Sequence, residues 1–187
     1  MYNTIPAVIF AGGKSSRMGQ DKALLPFAHT PTLSQFQYEK LNTLFHTVYL
    51  SAKENKFNFK CQVISDKYEE SSPLVGIVSI FETLEAEAIF ILSVDAPLVD
   101  YTIIDALYQV YMENIDVSAV IAKSPKGLEP LCGIYTKKIL PLAKEYLTTH
   151  NHRLTRLLEH SDIKVVTFNS NKPFTNLNTP EEYNAMF

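Results

Sequence analysis

The chain has 187 residues, of which 46% are hydrophobic and 20% are charged, and this ordinary composition excludes a disordered or fibrous protein. Its length predicts a single domain, residues 1–187, with a full hydrophobic core. The formal net charge of −3 argues against a nucleic-acid-binding protein, but it is compatible with a local cationic site for an anionic ligand.

Cysteine usage and hydropathy limit the cellular environment. Cys61 and Cys132 lie far apart and form no CxxC pair, so we expect buried free thiols rather than disulfides or a cysteine-based zinc site. No run approaches the roughly 18 apolar residues that span a bilayer. The N-terminal residues lack the basic and apolar segments of a signal peptide. We therefore expect a cytoplasmic protein without membrane contact.

Strand and helix patterns alternate along the chain. Continuous apolar runs predict strands buried on both faces at residues 5–11, 47–52, 61–65, 88–94 and 117–122, with a later strand at 164–168. Apolar stripes at helical spacing lie at residues 33–44, 74–84, 103–111 and 139–147. Thr179, Pro180 and Glu182 form the N-terminal capping pattern of a last short helix.

This alternation predicts an α/β protein with a mostly parallel sheet and helices on both of its faces. Residues 123–130 are the most loop-like segment, which we expect to form a lip near the site, and residues 130–135 leave room for one more strand, for which an antiparallel direction is open. In such sheets ligands bind at the carboxyl ends of the strands. That rule selects the segment after the first strand together with Ser51, Asp66 and Asp95.

The first strand ends in AGGKSSRMGQDK, residues 11–22, which has the character of a phosphate-binding loop. The P-loop pattern GxxxxGK[ST] would need a glycine at position 8, which is Val8. The dinucleotide-binding pattern GxGxxG does not fit glycines at positions 12, 13 and 19. Both of these loop types are therefore excluded by glycine spacing.

The same segment still contains a set of hydrogen-bond donors and cations that could bind phosphate. Gly12 and Gly13 bring backbone N–H groups close to a ligand, and Ser15 adds a hydroxyl donor. Arg17 and Lys22 place two cations in one short loop. Together these groups favour a triphosphate over a single phosphate, with a solvated surface loop as the alternative.

The longer segment FAGGKSSRMGQDKALLPF resembles the signature loop of the molybdenum cofactor guanylyltransferases, the MobA family, written LAGGxSxRMGxDKxLL. The segments VISD, SSPLVGI, LSVDAP, EPLCGIY and FTNLNTPEE resemble further blocks of that family. The resemblance implies a three-layer α/β/α fold with a mostly parallel, Rossmann-like nucleotidyltransferase sheet. It also implies transfer of GMP from GTP to molybdenum-bearing molybdopterin with release of pyrophosphate, and a Mg²⁺ cofactor.

At the matching positions the resemblance assigns roles to individual residues. It implies that Lys22, Arg17 and Asp95 are catalytic, with Asp95 as the Mg²⁺ ligand. The GTP-binding residues that it implies are Phe10, Ala11, Gly12, Gly13, Ser15, Lys22, Asp66 and Asp95. Asn176 and Asn178 lie in the block that the family places on the pterin side of its cleft.

Several of these residues have a structural interpretation as well. Asp95, in an Asp-x-Pro sequence, is also typical of a turn or helix cap, and Asp66 of a turn with Lys67. The asparagines at 176 and 178 also suit Asx-turns and capping. Ser51 occupies a strand end where some relatives carry Asn.

Two further features lie at the margin of the resemblance. Ser72 and Val75 stand where the family often has Gly and Ala, which predicts a narrower space near the nucleotide. His150 and His152 alternate like metal ligands, but no third ligand is near in sequence, so we expect a surface loop. The two arginines that follow, at 153 and 156, carry charges that suit an anionic cofactor.

Two rival functions remain open from the sequence. One is a cytidylyltransferase or other nucleotidyltransferase of the same fold, since the loop does not fix the base. The other is a non-catalytic carrier or chaperone that binds the nucleotide or cofactor. The resemblance further implies transient contacts with molybdenum insertion proteins and with molybdoenzymes.

Overall fold

A computed structural model of the protein describes residues 2, 4–12 and 20–184. The strands are β1 (Ala7–Phe10), β2 (Val48–Ala52), β3 (Gln62–Ser65), β4 (Ala88–Ser93), β5 (Ala119–Ser124), β6 (Gly127–Thr136) and β7 (Ile163–Thr167). The α-helices are α1 (Leu33–Asn42), α2 (Pro73–Thr83), α3 (Tyr101–Glu113), α4 (Leu140–Thr148), α5 (Leu154–Glu159) and α6 (Pro180–Asn184). Short 3₁₀ helices occupy Lys22–Leu24, Lys137–Ile139 and Lys172–Phe174.

The strands form one sheet in the order β3-β2-β1-β4-β6-β5-β7. β1 pairs in parallel with β2 and β4, β2 pairs in parallel with β3, and β5 pairs in parallel with β7. β6 runs antiparallel to both β4 and β5. The predicted α/β class with a mostly parallel sheet is confirmed, and the additional strand at 130–135 exists in the antiparallel direction.

The predicted loop at residues 123–130 is wrong in most of its length. β5 continues to Ser124 and β6 begins at Gly127, so only residues 125–126 form the turn between them. Gly127 has a φ of 130°, which favours glycine, and the Ser124 hydroxyl accepts a hydrogen bond from the backbone N–H of Lys126. Because a hairpin reverses within two residues, the turn-forming composition of this segment did not require a long loop.

The two faces of the sheet pack against different helices. Successive residues of β1 alternate between two core clusters: Ala7 and Ile9 pack on one face, and Val8 and Phe10 on the other. The first cluster includes residues of α1 and α3, and the second includes residues of α2, α4 and α5. This arrangement is the three-layer α/β/α architecture. No helix in the described part of the chain is long and apolar enough to cross a membrane.

Helices α2 and α6 begin with side-chain caps, and a further helix, α5, was not predicted from the sequence pattern. Ser72 is the N-cap of α2, with Pro73 at its first position, and Glu182 closes a capping box with the N–H groups of Asn178 and Thr179. α5 is only six residues long, and its stability comes from three buried leucines rather than from a long amphipathic stripe. Those leucines are Leu154, Leu157 and Leu158.

The chain order places a crevice beside β1. From β1 the chain adds β2 and then β3 on one side of the sheet, and it later places β4 on the other side. The carboxyl ends of β1 and β4 therefore flank a topological switch point, which is where open α/β sheets bind ligands.

Candidate active site

A cavity of about 550 Å³ lies at the carboxyl ends of β1 to β4. Its volume falls within the range of about 300–1,000 Å³ that is usual for small-molecule sites. Its lining includes Phe10 and Gly12 from the first strand and its extension, Ser51, Ala52 and Lys53 from β2 onward, Asp66 after β3, and Ser93 at the end of β4. Glu69, Ser71, Ser72, Pro73, Gly76 and Leu131 complete it. The cavity therefore lies at the edge of the sheet that the strand-end rule selected from the sequence.

Lys22, Asp95 and Asn178 converge at this edge of the sheet. The Lys22 ammonium donates to Asp95 Oδ2 at 2.6 Å and to Asn178 Oδ1 at 2.9 Å. The side chains of Lys22 and Asp95 are only 17% and 14% exposed, so the pair is largely shielded from solvent. Asp95 Oδ1 accepts a hydrogen bond of 2.6 Å from the Ser93 hydroxyl. Residues separated by up to 156 positions thus form one hydrogen-bonded group.

Asp95 is held in place by its backbone as well as by its side chain. The Leu177 N–H donates to the carbonyl of Asp95 at 2.9 Å, which anchors the C-terminal segment carrying Asn178. The buried amide of Gln37 donates from α1 to the carbonyls of Ser93 and Val94. These contacts fix the segment that follows β4 from both sides.

Lys40 stabilises the segment that follows Asp95. Its ammonium donates to the carbonyls of Pro97 and Val99 at 3.0 and 2.9 Å. Burial lowers the pKa of Lys40 to about 8, while Cys132 and Asp100 act in the opposite direction. The turn after Asp95 is therefore stabilised by a desolvated cation that the sequence analysis did not identify.

Lys56 is a further cation at the site that sequence reasoning missed. Its ammonium donates to the carbonyl of Ala11 at 2.9 Å and forms an ion pair with Asp21 Oδ2. Asp21 Oδ1 accepts from the N–H of Ala23 and so caps the 3₁₀ helix that carries Lys22. Lys56 lies in the connection between β2 and β3, where no local motif marks it.

The predicted main-chain contributors occupy the end of β1. The N–H of Ala11 donates to the carbonyl of Ser51, and its own carbonyl accepts from Lys56, so a ligand would meet the second lone pair of that carbonyl. A Cβ added to Gly12 would make only ordinary contact with Ala52, at 3.6 Å. Gly13, Ser15 and Arg17 lie outside the described residues.

Asp66 lies on the wall of the cavity after β3. Burial raises the pKa of its carboxyl, and the nearby Lys53 ammonium lowers it by a smaller amount. Its backbone N–H donates to the carbonyl of Ala52. The side chain is thus a partly desolvated acceptor that faces the ligand space.

A second, smaller cavity of about 190 Å³ lies beside Asp95. Its lining consists of Ser93, Asp95, Ala96, Glu129, Pro130, Leu131, Cys132, Phe174 and Asn176. Ser93 and Leu131 line both cavities, so the two spaces adjoin at these residues, and of the two cavities Asp95 lines the smaller one. The structure therefore separates the two asparagines: Asn176 lines the smaller cavity, whereas Asn178 bonds to Lys22.

The remaining candidates lie in different parts of the structure. Ser51 and Ser72 line it, but Val75 is fully buried in the core and does not, so of the two departures only Ser72 narrows the ligand space. Arg153 and Arg156 are exposed on the segment around α5. Cys132 is buried as expected, whereas Cys61 is only partly buried, which corrects that part of the prediction.

Comparison with known proteins addresses the family directly. Residues 7–165 match the model of the MobA-like NTP transferase domain. The chain belongs to the MobA-like NTP transferase family. A protein named molybdenum cofactor guanylyltransferase from Campylobacter jejuni is 37% identical over 97% of this chain and 94% of its own. A protein of the same name from Helicobacter pylori is 34% identical over 98% of this chain and 88% of its own.

Solved structures agree on the fold of this MobA-like chain. The crystal structure of molybdopterin-guanine dinucleotide biosynthesis protein A from Archaeoglobus fulgidus superimposes with a TM-score of 0.83. It is 17% identical and covers 97% of this chain and 96% of its own. The family match contains Lys22, Asp66 and Asp95, whereas Asn176 and Asn178 lie beyond residue 165.

Proposed function

We propose that the protein transfers GMP from GTP to molybdenum-bearing molybdopterin. A phosphate oxygen of the pterin forms a bond to the α-phosphorus of GTP, the bond from that phosphorus to the bridging oxygen breaks, and pyrophosphate leaves with the electron pair. The observation that carries this proposal is the Lys22–Asp95 pair, whose carboxylate lines a smaller cavity that shares Ser93 and Leu131 with a cavity of nucleotide size. The names of the two relatives agree with this reaction.

The two cavities fit two substrates that react at their junction. Nucleotidyl transfer needs positioning and charge neutralisation rather than a covalent protein intermediate. In the proposed arrangement GTP occupies the larger cavity, and molybdopterin occupies the smaller cavity that Asn176 lines. The α-phosphate then lies near Ser93, where the two cavities adjoin and whose hydroxyl donates to Asp95, within reach of an acceptor in the smaller cavity.

Lys22 is proposed to neutralise charge on the phosphates and on the leaving pyrophosphate. It is held between Asp95 and Asn178, so its ammonium is positioned before substrate arrives. Arg17 and the main-chain and hydroxyl donors of Gly13 and Ser15 are proposed to complete phosphate binding. Lys56 keeps the start of this segment in place through Ala11 and Asp21.

The donor set beside Lys22 fits Mg²⁺. Mg²⁺ takes one or two carboxylates together with phosphate oxygens and water, and Asp95 supplies one carboxylate whose oxygens each keep a second lone pair. When bound, the ion would supply further neutralisation of phosphate charge. Asp95 is proposed as its protein ligand, and Ser93 orients the carboxylate by donating to Oδ1.

Asp66 is proposed to contact the nucleotide, together with main-chain groups of Phe10, Ala11 and Gly12. A partly desolvated carboxylate on a cavity wall suits a ligand that presents N–H or hydroxyl donors. A guanosine nucleotide carries such donors on its base and on its ribose. A product made in this site would pass to molybdenum insertion proteins or molybdoenzymes by transient contact.

The deciding experiment is turnover with GTP, Mg²⁺ and molybdenum-loaded molybdopterin, with mass spectrometry of the dinucleotide. We expect Asp95→Asn to abolish turnover while circular dichroism and thermal melting stay close to wild type. Lys22→Ala should lower kcat far more than it weakens GTP binding, because its work lies in the transition state. Wild-type turnover in either variant would remove that residue from the mechanism.

The same assay tests the two rival functions. A cytidylyltransferase would release pyrophosphate faster from CTP than from GTP in the presence of molybdopterin. A non-catalytic carrier would bind GTP tightly and give no dinucleotide with any pterin acceptor. Dinucleotide formation that requires GTP and is lost in Asp95→Asn would exclude both.

A further inference from the structure

A cluster of potential metal ligands lies outside the site described above. Glu70, His150 and His152 each offer one ligand atom, and these atoms all lie within 4.8 Å of one another. His150 Nδ1 is 3.0 Å from Glu70 Oε1, and His152 Nε2 is 2.8 Å from Glu70 Oε2. The sequence showed the two histidines but not the carboxylate, because Glu70 is separated from His150 by 80 positions.

We propose that Glu70, His150 and His152 form a binding site for a divalent transition-metal ion of the zinc class. The ion would tie the segment before α2 to the connection between α4 and α5. Two imidazole nitrogens and one carboxylate form a ligand set that Zn²⁺ adopts when it keeps an open fourth position. Imidazole ligands also separate this site from the oxygen-only preference of Mg²⁺.

The three side chains are near enough to surround one ion after a modest rearrangement. Ligands at about 2.0–2.1 Å from a tetrahedral metal lie about 3.3 Å from one another. Each histidine contacts a different oxygen of Glu70, at 3.0 and 2.8 Å, and one ligand atom from each residue lies within 4.8 Å of the others, so the side chains need to shift by up to about 1.5 Å to surround an ion. Glu70 and His150 are about 50% and 79% exposed, which leaves room for that movement and for a water ligand.

Ser72 supplies the outer hydrogen bond that a metal-bound histidine needs. Its hydroxyl oxygen lies 2.8 Å from His152 Nδ1 and accepts from the N–H of Val75 at 3.2 Å. With an ion on Nε2, His152 would donate its Nδ1 proton to this oxygen, which has a lone pair for each of the two donors. A metal-bound nitrogen carries no proton, so in the bound state the single N–H proton of the His152 ring would lie on Nδ1.

The backbone around His150 fits the same arrangement. His150 has a φ of 53°, in the left-handed region that residues other than glycine seldom occupy. Its N–H donates to the carbonyl of Leu147, and Asn151 donates to that of Tyr146, so the turn after α4 is fixed. Both histidines face the segment whose residues 69, 71 and 72 line the larger cavity. An ion here would therefore stabilise one rim of that cavity.

Zinc binding is tested on tag-free, chelator-stripped protein by equilibrium dialysis at micromolar Zn²⁺ with excess Mg²⁺, followed by elemental analysis. We expect one Zn²⁺ per chain in wild type, and at least a tenfold weaker affinity in His150→Ala, His152→Ala and Glu70→Gln. His46→Ala removes an exposed histidine elsewhere and should bind like wild type. Equal zinc content in wild type and His152→Ala, or none in wild type, would overturn the proposal.

Two further measurements separate this site from the proposed catalytic one. Asp95→Asn should keep its Zn²⁺, since Asp95 is not a ligand here; loss of the ion in that variant would refute an independent site. Co²⁺ bound in place of Zn²⁺ should give the intense visible absorption of a tetrahedral ion, and an octahedral spectrum would contradict the ligand set. Hydrogen exchange at residues 69–72 should slow when Zn²⁺ binds, and unchanged exchange would refute the link between the two segments.

Discussion

Gly76 allows α2 to approach the end of β1, and replacing it by alanine tests that packing. A Cβ at Gly76 would lie 2.6 Å from Cε1 and 3.1 Å from Cζ of Phe10, against an ordinary contact of about 3.5–4.0 Å. The ring must therefore move by about 1 Å. Such overpacking costs about 1–3 kcal/mol, whereas alanine in place of glycine in a helix gains about 1 kcal/mol. We expect Gly76→Ala to lower the free energy of unfolding by about 1 kcal/mol.

The double mutant cycle with Phe10→Leu isolates the clash. Leucine lacks the atoms nearest to the new Cβ, so in that background Gly76→Ala should stabilise the protein by up to about 1 kcal/mol. Urea denaturation of the four proteins should give a coupling energy of about 1–3 kcal/mol. Because Phe10 lines the larger cavity, Gly76→Ala should also weaken GTP binding in calorimetry. A coupling energy below about 0.5 kcal/mol would refute the packing argument.

Three further predictions concern residues around the site. Lys56→Met should lower kcat/KM for GTP by about tenfold to a hundredfold, since hydrogen bonds to charged groups contribute about 1.5–3 kcal/mol. The control Lys60→Met, in the same connection between β2 and β3, should leave kcat/KM unchanged. Burial raises the pKa of both thiols, and that of Cys132 to about 12. We expect iodoacetamide to label the partly buried Cys61 before the buried Cys132, as followed by mass spectrometry. Equal labelling rates would contradict this. Burial lowers the pKa of Lys40 from 10.5 to about 8, so the unfolded chain binds more protons between these pH values. The free energy of unfolding of wild type relative to Lys40→Met should therefore rise from pH 8 to 10.5 by on the order of 3 kcal/mol, and a fall would refute the burial argument.

Much of the fold follows from local patterns in the sequence. The apolar run that becomes β1 is buried on both faces, as its lack of alternation indicated. Thr179 with Glu182 marked the start of α6, because capping acts within one helical turn. The hairpin of β5 and β6 was harder, since turn-forming residues do not by themselves give the length of a loop.

Some residues of the candidate site could be predicted from the sequence, without knowledge of their geometry. Lys22, Asp66 and Asp95 were chosen from strand ends and from family resemblance. The structure places Asp66 on the larger cavity and Asp95 on the adjoining smaller one, with Lys22 hydrogen-bonded to Asp95. Their roles stay predictions until the variants are measured. Lys56 and Lys40 carried no signal in the sequence, because a lone lysine in a connection or a helix has no pattern that tells a structural cation from a solvated one.

The sequence by itself determined the succession of strands and helices, the edge of the sheet that carries the larger cavity and the family, since each depends on short-range spacing. Only the tertiary structure decided which distant groups meet. It joined Lys22 to Asp95 and Asn178, and it brought Glu70 to two histidines 80 or more positions away. These contacts depend on how the strands are ordered and how the connections return over the sheet, and periodicity within a segment carries no information about either.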